Sequence, residues 1–145
     1  MLHYPHELEV PWYAAVNTDK DHDIGWLARE ECKAGHVPDG ESLLLVQMNE
    51  GWSVANYDAH PDRLVDEIAQ RTAHLLDDDR LTDPDWTDHQ HWRYAQPEDT
   101  VDRETLAPAA DHDLYFAGDW VAEEPRLHAA VRNGLEVGET LAREL

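Results

Sequence analysis

The residue pattern predicts an α+β chain. An antiparallel or mixed sheet crossed by one helix is expected over residues 1–110, followed by a terminal strand–helix unit over 111–145. Three observations carry this. Leu43-Leu44-Leu45-Val46-Gln47-Met48 is an almost unbroken apolar run, as in a strand covered on both faces. Leu64, Ile68, Thr72 and Leu75/Leu76 recur at helical spacing, widened by Val65 and Ala69. A short apolar run, Leu114 to Ala117, leads into Gly118-Asp119 ahead of a second helical pattern that carries Ala130, Gly134 and Gly138 at intervals of four.

Along the chain, Trp12 to Val16 and Ile24 to Ala28 are short β-prone runs separated by the turn composition of 17–21. A loop over 34–40 precedes the central strand. Asp58 and His60-Pro61 open the helix, and Asp62, Asp66 and Glu67 sit early in it, where the helix dipole favours negative charge. It should end near Asp77-Asp78-Asp79. An acidic turn through Asp83-Pro84-Asp85 leads to a strand-like run, Trp86 to Ala95, and a polar connection bracketed by 96–99 and 107–110 reaches the closing strand. The expected order is β-β-β-α-β-β-α.

Composition narrows the function classes. The 145 residues carry 32 Asp and Glu against 11 Lys and Arg, a net charge of −21. That sign disfavours nucleic acid and anionic membrane surfaces as partners. The carboxylates are spread through the chain, which reads as whole-protein solvation of the kind suited to a high-salt, halophilic cytoplasm, where salt screens self-repulsion. A single cysteine, Cys32, leaves no intrachain disulfide. The first residues show no basic and apolar leader pattern, and no apolar run approaches a membrane span, so a soluble cytoplasmic protein is expected.

The carboxy-terminal segment holds the most specific chemistry. Gly118 removes a side chain where a ligand backbone could come close, and Asp119 offers an acceptor for hydroxyls at a strand's carboxyl end. The helix that follows presents N–H groups and positive potential at its start, around Arg126, Leu127 and His128. This is half of a nucleotide-cofactor site. The other half, a glycine-rich pyrophosphate turn of G-x-G-x-x-G type, is missing from the sequence, as is any Walker loop.

Several segments in order resemble the renalase-like branch of the FAD-dependent amine oxidases. Ile24-Gly25-Trp26-Leu27-Ala28-Arg29 with Lys33-Ala34-Gly35 is similar to a family strand and its Lys-Pro-Gly turn, with Ala34 in place of the proline. Leu44 to Gln47 through Gly51-Trp52-Ser53 resembles the next strand with its Trp-Ser. His91-Trp92-Arg93-Tyr94-Ala95-Gln96-Pro97 resembles the Trp-Arg-Tyr-Ala signature, and Ala117-Gly118-Asp119-Trp120 with Ala130 and Gly134 resembles the carboxy-terminal flavin motif. The resemblance implies a substrate-domain-like sheet over 1–110 and an FAD-contacting strand–helix over 111–145. It implies FAD contacts at Gly118, Asp119, Trp120, Arg126, Leu127 and His128, the last standing where an acidic residue is frequent. It also implies a substrate side at Trp92 and Tyr94, a small-molecule amine or reduced nitrogen substrate, and hydride transfer to FAD in a composite site. A separately encoded Rossmann FAD-binding protein would complete that site. No catalytic residue is singled out.

Rival readings stand beside these. Gly118-Asp119 could be an ordinary turn with a helix cap. Trp92 and Tyr94 could form an aromatic wall or pack in the core, with a buried Arg93 paired to a carboxylate; Trp26 and Trp52 read as core. Ten histidines include His3-x-x-His6, Asp21-His22-Asp23, His89-x-His91 and Asp111-His112-Asp113, none in a closed ligand framework, and no metal site is expected. A non-catalytic remnant or interaction module is the rival to the oxidoreductase component, and a histidine-based metal-binding protein is a third.

Overall fold

A computed structural model of the chain describes every residue except 96, 98, 123 and 145. Its contacts divide it into two compact units, Met1–His91 and Trp92–Leu145. The class is α+β, and among the described residues the sheet is wholly antiparallel.

In the first unit the strands are β1 (Leu2–Tyr4), β2 (Ala14–Val16), β3 (Ile24–Arg29), β4 (Ser42–Met48) and β5 (Trp86–Thr87), ordered β2-β3-β4-β1-β5. The apolar run at 43–48 is central, as its composition requires, with β3 and β1 on either side. Leu2 faces Leu44 and Tyr4 faces Ser42, while Ala28 faces Leu45. The β3–β4 register shifts between Ile24 and Trp26, a local irregularity around Gly25. β1 is absent from the sequence expectation because three residues before Pro5 are too few to show a period, yet all three are buried.

Two helices belong to this unit, α1 (Glu50–Ala55) and α2 (Pro61–Leu76). The Trp-Ser segment expected in a strand lies in α1, because Asn49 ends β4 as a helix cap: its Oδ1 accepts from the Trp52 amide at 2.8 Å. α2 begins at Pro61 after His60, whose Nδ1 accepts from the Asp62 amide. It closes at Asp77 in the left-handed region (φ +52°), with the Asp78 amide returning to Ala73 O at 3.1 Å. Its inner face is Leu64, Ala69, Thr72 and Ala73, whereas Leu75 points outward. Ala69 and Ala73 join Leu2, Tyr4, Leu8, Ile24, Leu27, Leu44 and Leu81 in one core, and Val65, Ile68 and Leu76 of α2 pack against it. The Tyr4 hydroxyl donates to Leu81 O at 2.9 Å, and burial pushes the phenol well above its ordinary range.

Only Trp86 and Thr87 of the strand-like run 86–95 pair into the sheet, against Leu2 and His3. Past Thr87 the Asp88 amide still reaches Met1 O at 3.1 Å, Arg93 and Tyr94 form a turn, and Gln96 lies outside the described residues.

The second unit contains α3 (Arg103–Leu106) and α4 (Leu127–Glu144). The expected polar connection is helical in its second part. Asp102 caps α3 through the Glu104 amide at 3.0 Å, and a 3-10 turn over Ala107–His112 follows, with Pro108 early in it and Asp113 closing it at φ +57°. The predicted strand over 114–117 does not form; those residues join no ladder among the described residues. The terminal unit is therefore loop–helix rather than strand–helix.

Candidate functional site

All the expected cofactor and substrate-side residues fall in the second unit. α4 has two distinct long faces. Ala129 and Asn133 are buried and Val137 and Thr140 half-buried, at spacings of four, four and three. Around the helix lie Leu127, Val131, Leu135 and Leu141, all exposed, interleaved with Gly134 and Gly138. A Cβ at either glycine would meet open space, so within the second unit the glycines of the Ala130/Gly134/Gly138 stripe pack against nothing, although their spacing suggested a packed face. The burial of Asn133 on the opposite face decides which stripe turns inward.

Asn133 organises the turn before α4. Its Oδ1 accepts from the Gly118 amide at 2.9 Å, and Gly118 O accepts from the Val121 and Ala122 amides. Gly118 sits at φ +131°, a region only glycine occupies readily. A Cβ there would lie 3.0 Å from Trp120 Cδ1. The glycine is thus required by its own turn and by Trp120, and the space beside its Cα belongs to that indole rather than to a ligand. Trp120 donates from Nε1 to Ala117 O at 3.2 Å and meets Phe116 edge-to-face, with ring centroids 5.7 Å apart.

Asp119 is half-exposed, and among the described residues nothing bonds its carboxylate. At the start of α4, Arg126 O accepts the first helical bond, from the Ala130 amide at 3.0 Å. Among the described residues no acceptor meets the amides of Leu127 and His128, and Leu127 is 83% exposed. His128 Nε2 and Glu124 Oε1 stand 2.6 Å apart across the entrance to the helix.

Trp92 and Tyr94 are 73% and 86% exposed, so neither packs in a core. Arg93 is exposed too, its guanidinium 5.8 Å from the Tyr94 ring centroid. The alternation of a strand that would have sorted these side chains onto two faces is replaced by a turn. Trp26 and Trp52 are half-buried and belong to neither the core cluster nor the side chains packed against it, and Trp52 Nε1 is buried and unbonded among the described residues.

Two features were not read from the sequence. One is a groove of about 230 Å³ between α4 and the 103–116 segment, walled by Leu106, Leu114, Phe116, Val121 and Val137. Arg103, Asn133 and Glu136 also line it. The signal for it was Asn133, a polar residue on the stripe formed by Ala129 and Val137. The other is a histidine clamp in the first unit. His3 is buried, its Nε2 2.8 Å from Glu41 Oε2 and its Nδ1 3.4 Å from Asp85 Oδ2, and its ring stacks on Trp86 at 5.0 Å. Among the described residues no three His, Cys, Asp or Glu side chains converge where a metal ion could sit, and no helix is long and apolar enough to cross a membrane. No protein-family model matches this chain, and no curated protein matches it.

Proposed function

We propose that this chain is a component of a flavin-dependent oxidoreductase of the renalase-like amine oxidase type. It would supply the substrate-side sheet and the carboxy-terminal flavin contacts of a composite site. The observation that carries this reading is the pairing of an uncommitted Asp119 carboxylate with the open first turn of α4. A carboxylate accepts from ribityl hydroxyls, and unpaired N–H groups at a long helix's start stabilise negative charge on an electron-rich ring edge.

The fit to FAD is that of a half-site. Asp119 and the Leu127 and His128 amides suit it; Gly118 and Trp120 satisfy each other and serve by shaping the turn. Nothing in these residues cradles a pyrophosphate, and a Rossmann-type half would hold that part. When bound, FAD would take hydride from an amine or another reduced nitrogen compound and pass the electrons to dioxygen. This chain's part is to orient the substrate, with Trp92 and Tyr94 as exposed aromatic surface, and to hold the flavin's polar edge. The dispersed acidity fits a cytoplasm of high salt.

Co-expression with a neighbouring reading frame that begins strand–G-x-G-x-x-G–helix tests the proposal. A yellow complex is expected, and Asp119→Ala should release flavin on dialysis. No complex, or flavin retention unchanged by that substitution, overturns it. The exposed Leu127, Val131, Leu135 and Leu141 face favours a second reading, an interaction module without cofactor, under which the same complex forms but is colourless.

A further inference from the structure

We infer that His3 is a pH-operated latch on β5. With both ring nitrogens protonated it ties the start of β5 and the loop before β4 to β1, and loss of the Nδ1 proton loosens the β5 edge.

The geometry sets the state of each nitrogen in turn. Nε2 stands 2.8 Å from Glu41 Oε2, and a carboxylate only accepts, so Nε2 carries a proton and donates it there. Nδ1 is buried, has no hydrogen-bond partner among the described residues, and lies 3.4 Å from Asp85 Oδ2. In a neutral ring that nitrogen is a lone pair shut away from water and close to an anion, an unanswered acceptor that costs free energy. In an imidazolium it is an N–H beside a carboxylate, and a small turn of the Asp85 side chain, 59% exposed and free to adjust, completes the bond. Glu41 and Asp85 are the charged groups that meet the ring, one from the loop before β4 and one from the residue before β5. Across the ladders its neighbours are Leu43 of β4 and Trp86 of β5, and the Trp86 ring stacks on the imidazole at 5.0 Å.

The latch matters because β5 has little else to hold it. It is two residues long and pairs only with β1 among the described strands. Beside that ladder stand the Asp85 amide, bonded to His3 O at 2.9 Å, and the Asp88 amide, bonded to Met1 O at 3.1 Å. All of these reach β1 or the residue before it. In mildly acid solution, with the carboxylates ionised and the ring doubly protonated, one side chain ties two segments to that strand. Rising pH removes the Nδ1 proton, leaves Glu41 served by the Nε2–H, and sets Asp85 against a bare lone pair. The contribution is therefore present below the range in which histidine titrates and is lost as pH rises through it. β1 itself stays in place, because Leu2 and Tyr4 belong to the core.

The test is native-state hydrogen exchange on the full chain at one fixed potassium chloride concentration, read as protection factors so that the intrinsic rise of exchange with pH is divided out. Between about pH 5.5 and about pH 8.5, protection of the Asp85 and Asp88 amides should fall about threefold, the size set by a half-exposed ion pair. The Arg29 amide, bonded to Tyr13 O toward the other edge of the sheet, should keep its protection. Asp85→Asn puts a side-chain N–H within reach of a bare Nδ1 and should flatten the fall. The ¹⁵N signals of the His3 ring, assigned by their loss in His3→Gln, should show both nitrogens protonated before the fall and Nε2 alone after it. A flat profile in the unmodified chain, a fall of equal size in Asp85→Asn, or a ring that keeps its proton on Nδ1 rather than Nε2 overturns the inference. None of these outcomes depends on FAD, so failure here leaves the flavin reading untouched.

Discussion

Replacing Gly118 with alanine separates two reasons for a glycine ahead of a helix: accommodation of a ligand, and accommodation of the chain itself. The structure assigns the second. At φ +131° an L side chain sits in a region that costs about 1–3 kcal/mol. The new Cβ would also stand 3.0 Å from Trp120 Cδ1, tighter than nearly all such carbon contacts, so the indole must give by a few tenths of an ångström. A shift of a few tenths of an ångström strains the Nε1–Ala117 bond, worth about 0.5–1.5 kcal/mol when whole, and the edge-to-face contact with Phe116. Trp120 is partly exposed, so the lower halves of these ranges apply, and Gly118→Ala should destabilise the second unit by about 1.5–3 kcal/mol. Urea unfolding read through the amide signals of α4 and of the 118–122 turn measures this without interference from the first unit. In a Trp120→Ala background the steric part disappears, and the same glycine substitution should cost about 1–2 kcal/mol. A loss below about 0.5 kcal/mol in the free protein would refute the reasoning and return Gly118 to the role of a ligand-approach residue.

Other expectations follow from the same coordinates. Lys33 donates to both Glu30 oxygens at 2.6 and 2.8 Å, and His36 stands 3.1 Å away; together they hold the Glu30 carboxyl below its ordinary value. A depressed folded-state value means the contribution is present above the ordinary glutamate range and is lost as pH falls through the folded one. Glu30→Gln should therefore flatten the acid limb of a melting-temperature profile taken from about pH 6 to about pH 3, and an unchanged limb would rule the cluster out. With a net charge of −21, melting temperature should rise steadily from millimolar to molar potassium chloride; a flat series would remove the self-repulsion argument. Leu64→Ala, at a fully buried site on α2, should cost about 2–5 kcal/mol in urea unfolding of the first unit. Val131→Asp, on the exposed face of α4, should stay within about 0.5 kcal/mol in the free chain while disrupting co-purification with a Rossmann partner.

The sheet and its helix were legible where local chemistry and tertiary demand agree. The run 43–48 could only be a covered strand, and His60-Pro61 with Asp77 marks the ends of α2 through a first-turn proline and a left-handed closing residue. Legibility failed where a short segment owes its form to partners distant in sequence. β1 has three residues and exists because β4 and β5 flank it. Residues 114–117 have strand composition but no neighbouring strand among the described residues, and composition alone cannot supply the missing hydrogen bonds. Gly51-Trp52-Ser53 was misplaced because the capping role of Asn49 outweighs the apolar continuity of the run before it. The recurrence of Ala130, Gly134 and Gly138 suggested a packing face, but both glycines meet open space and the buried stripe is the one that carries Ala129 and Asn133. Spacing cannot tell which of two stripes turns inward; the bond from Gly118 to Asn133 settles it.

That last distinction bears on function. α4 presents an apolar or small-residue stripe on both sides, and its own unit covers only the one containing Asn133. Leaving Leu127, Val131, Leu135 and Leu141 in water removes several side chains' worth of hydrophobic stabilisation, on the order of 1.5–3 kcal/mol for each one fully buried. A chain whose charge is otherwise spent on solvation gains nothing from keeping these residues apolar unless another surface covers them. Gly134 and Gly138 among them would let that surface approach the helix backbone closely, which suits a broad face better than a single inserted side chain. The same helix carries the free amides at Leu127 and His128 at one end, so a partner seated along it would sit beside those donors and the Asp119 segment. A flavin held by such a partner would reach both without any rearrangement within α4. The composite-site reading and the interaction-module reading therefore share a surface and differ only in what the partner carries.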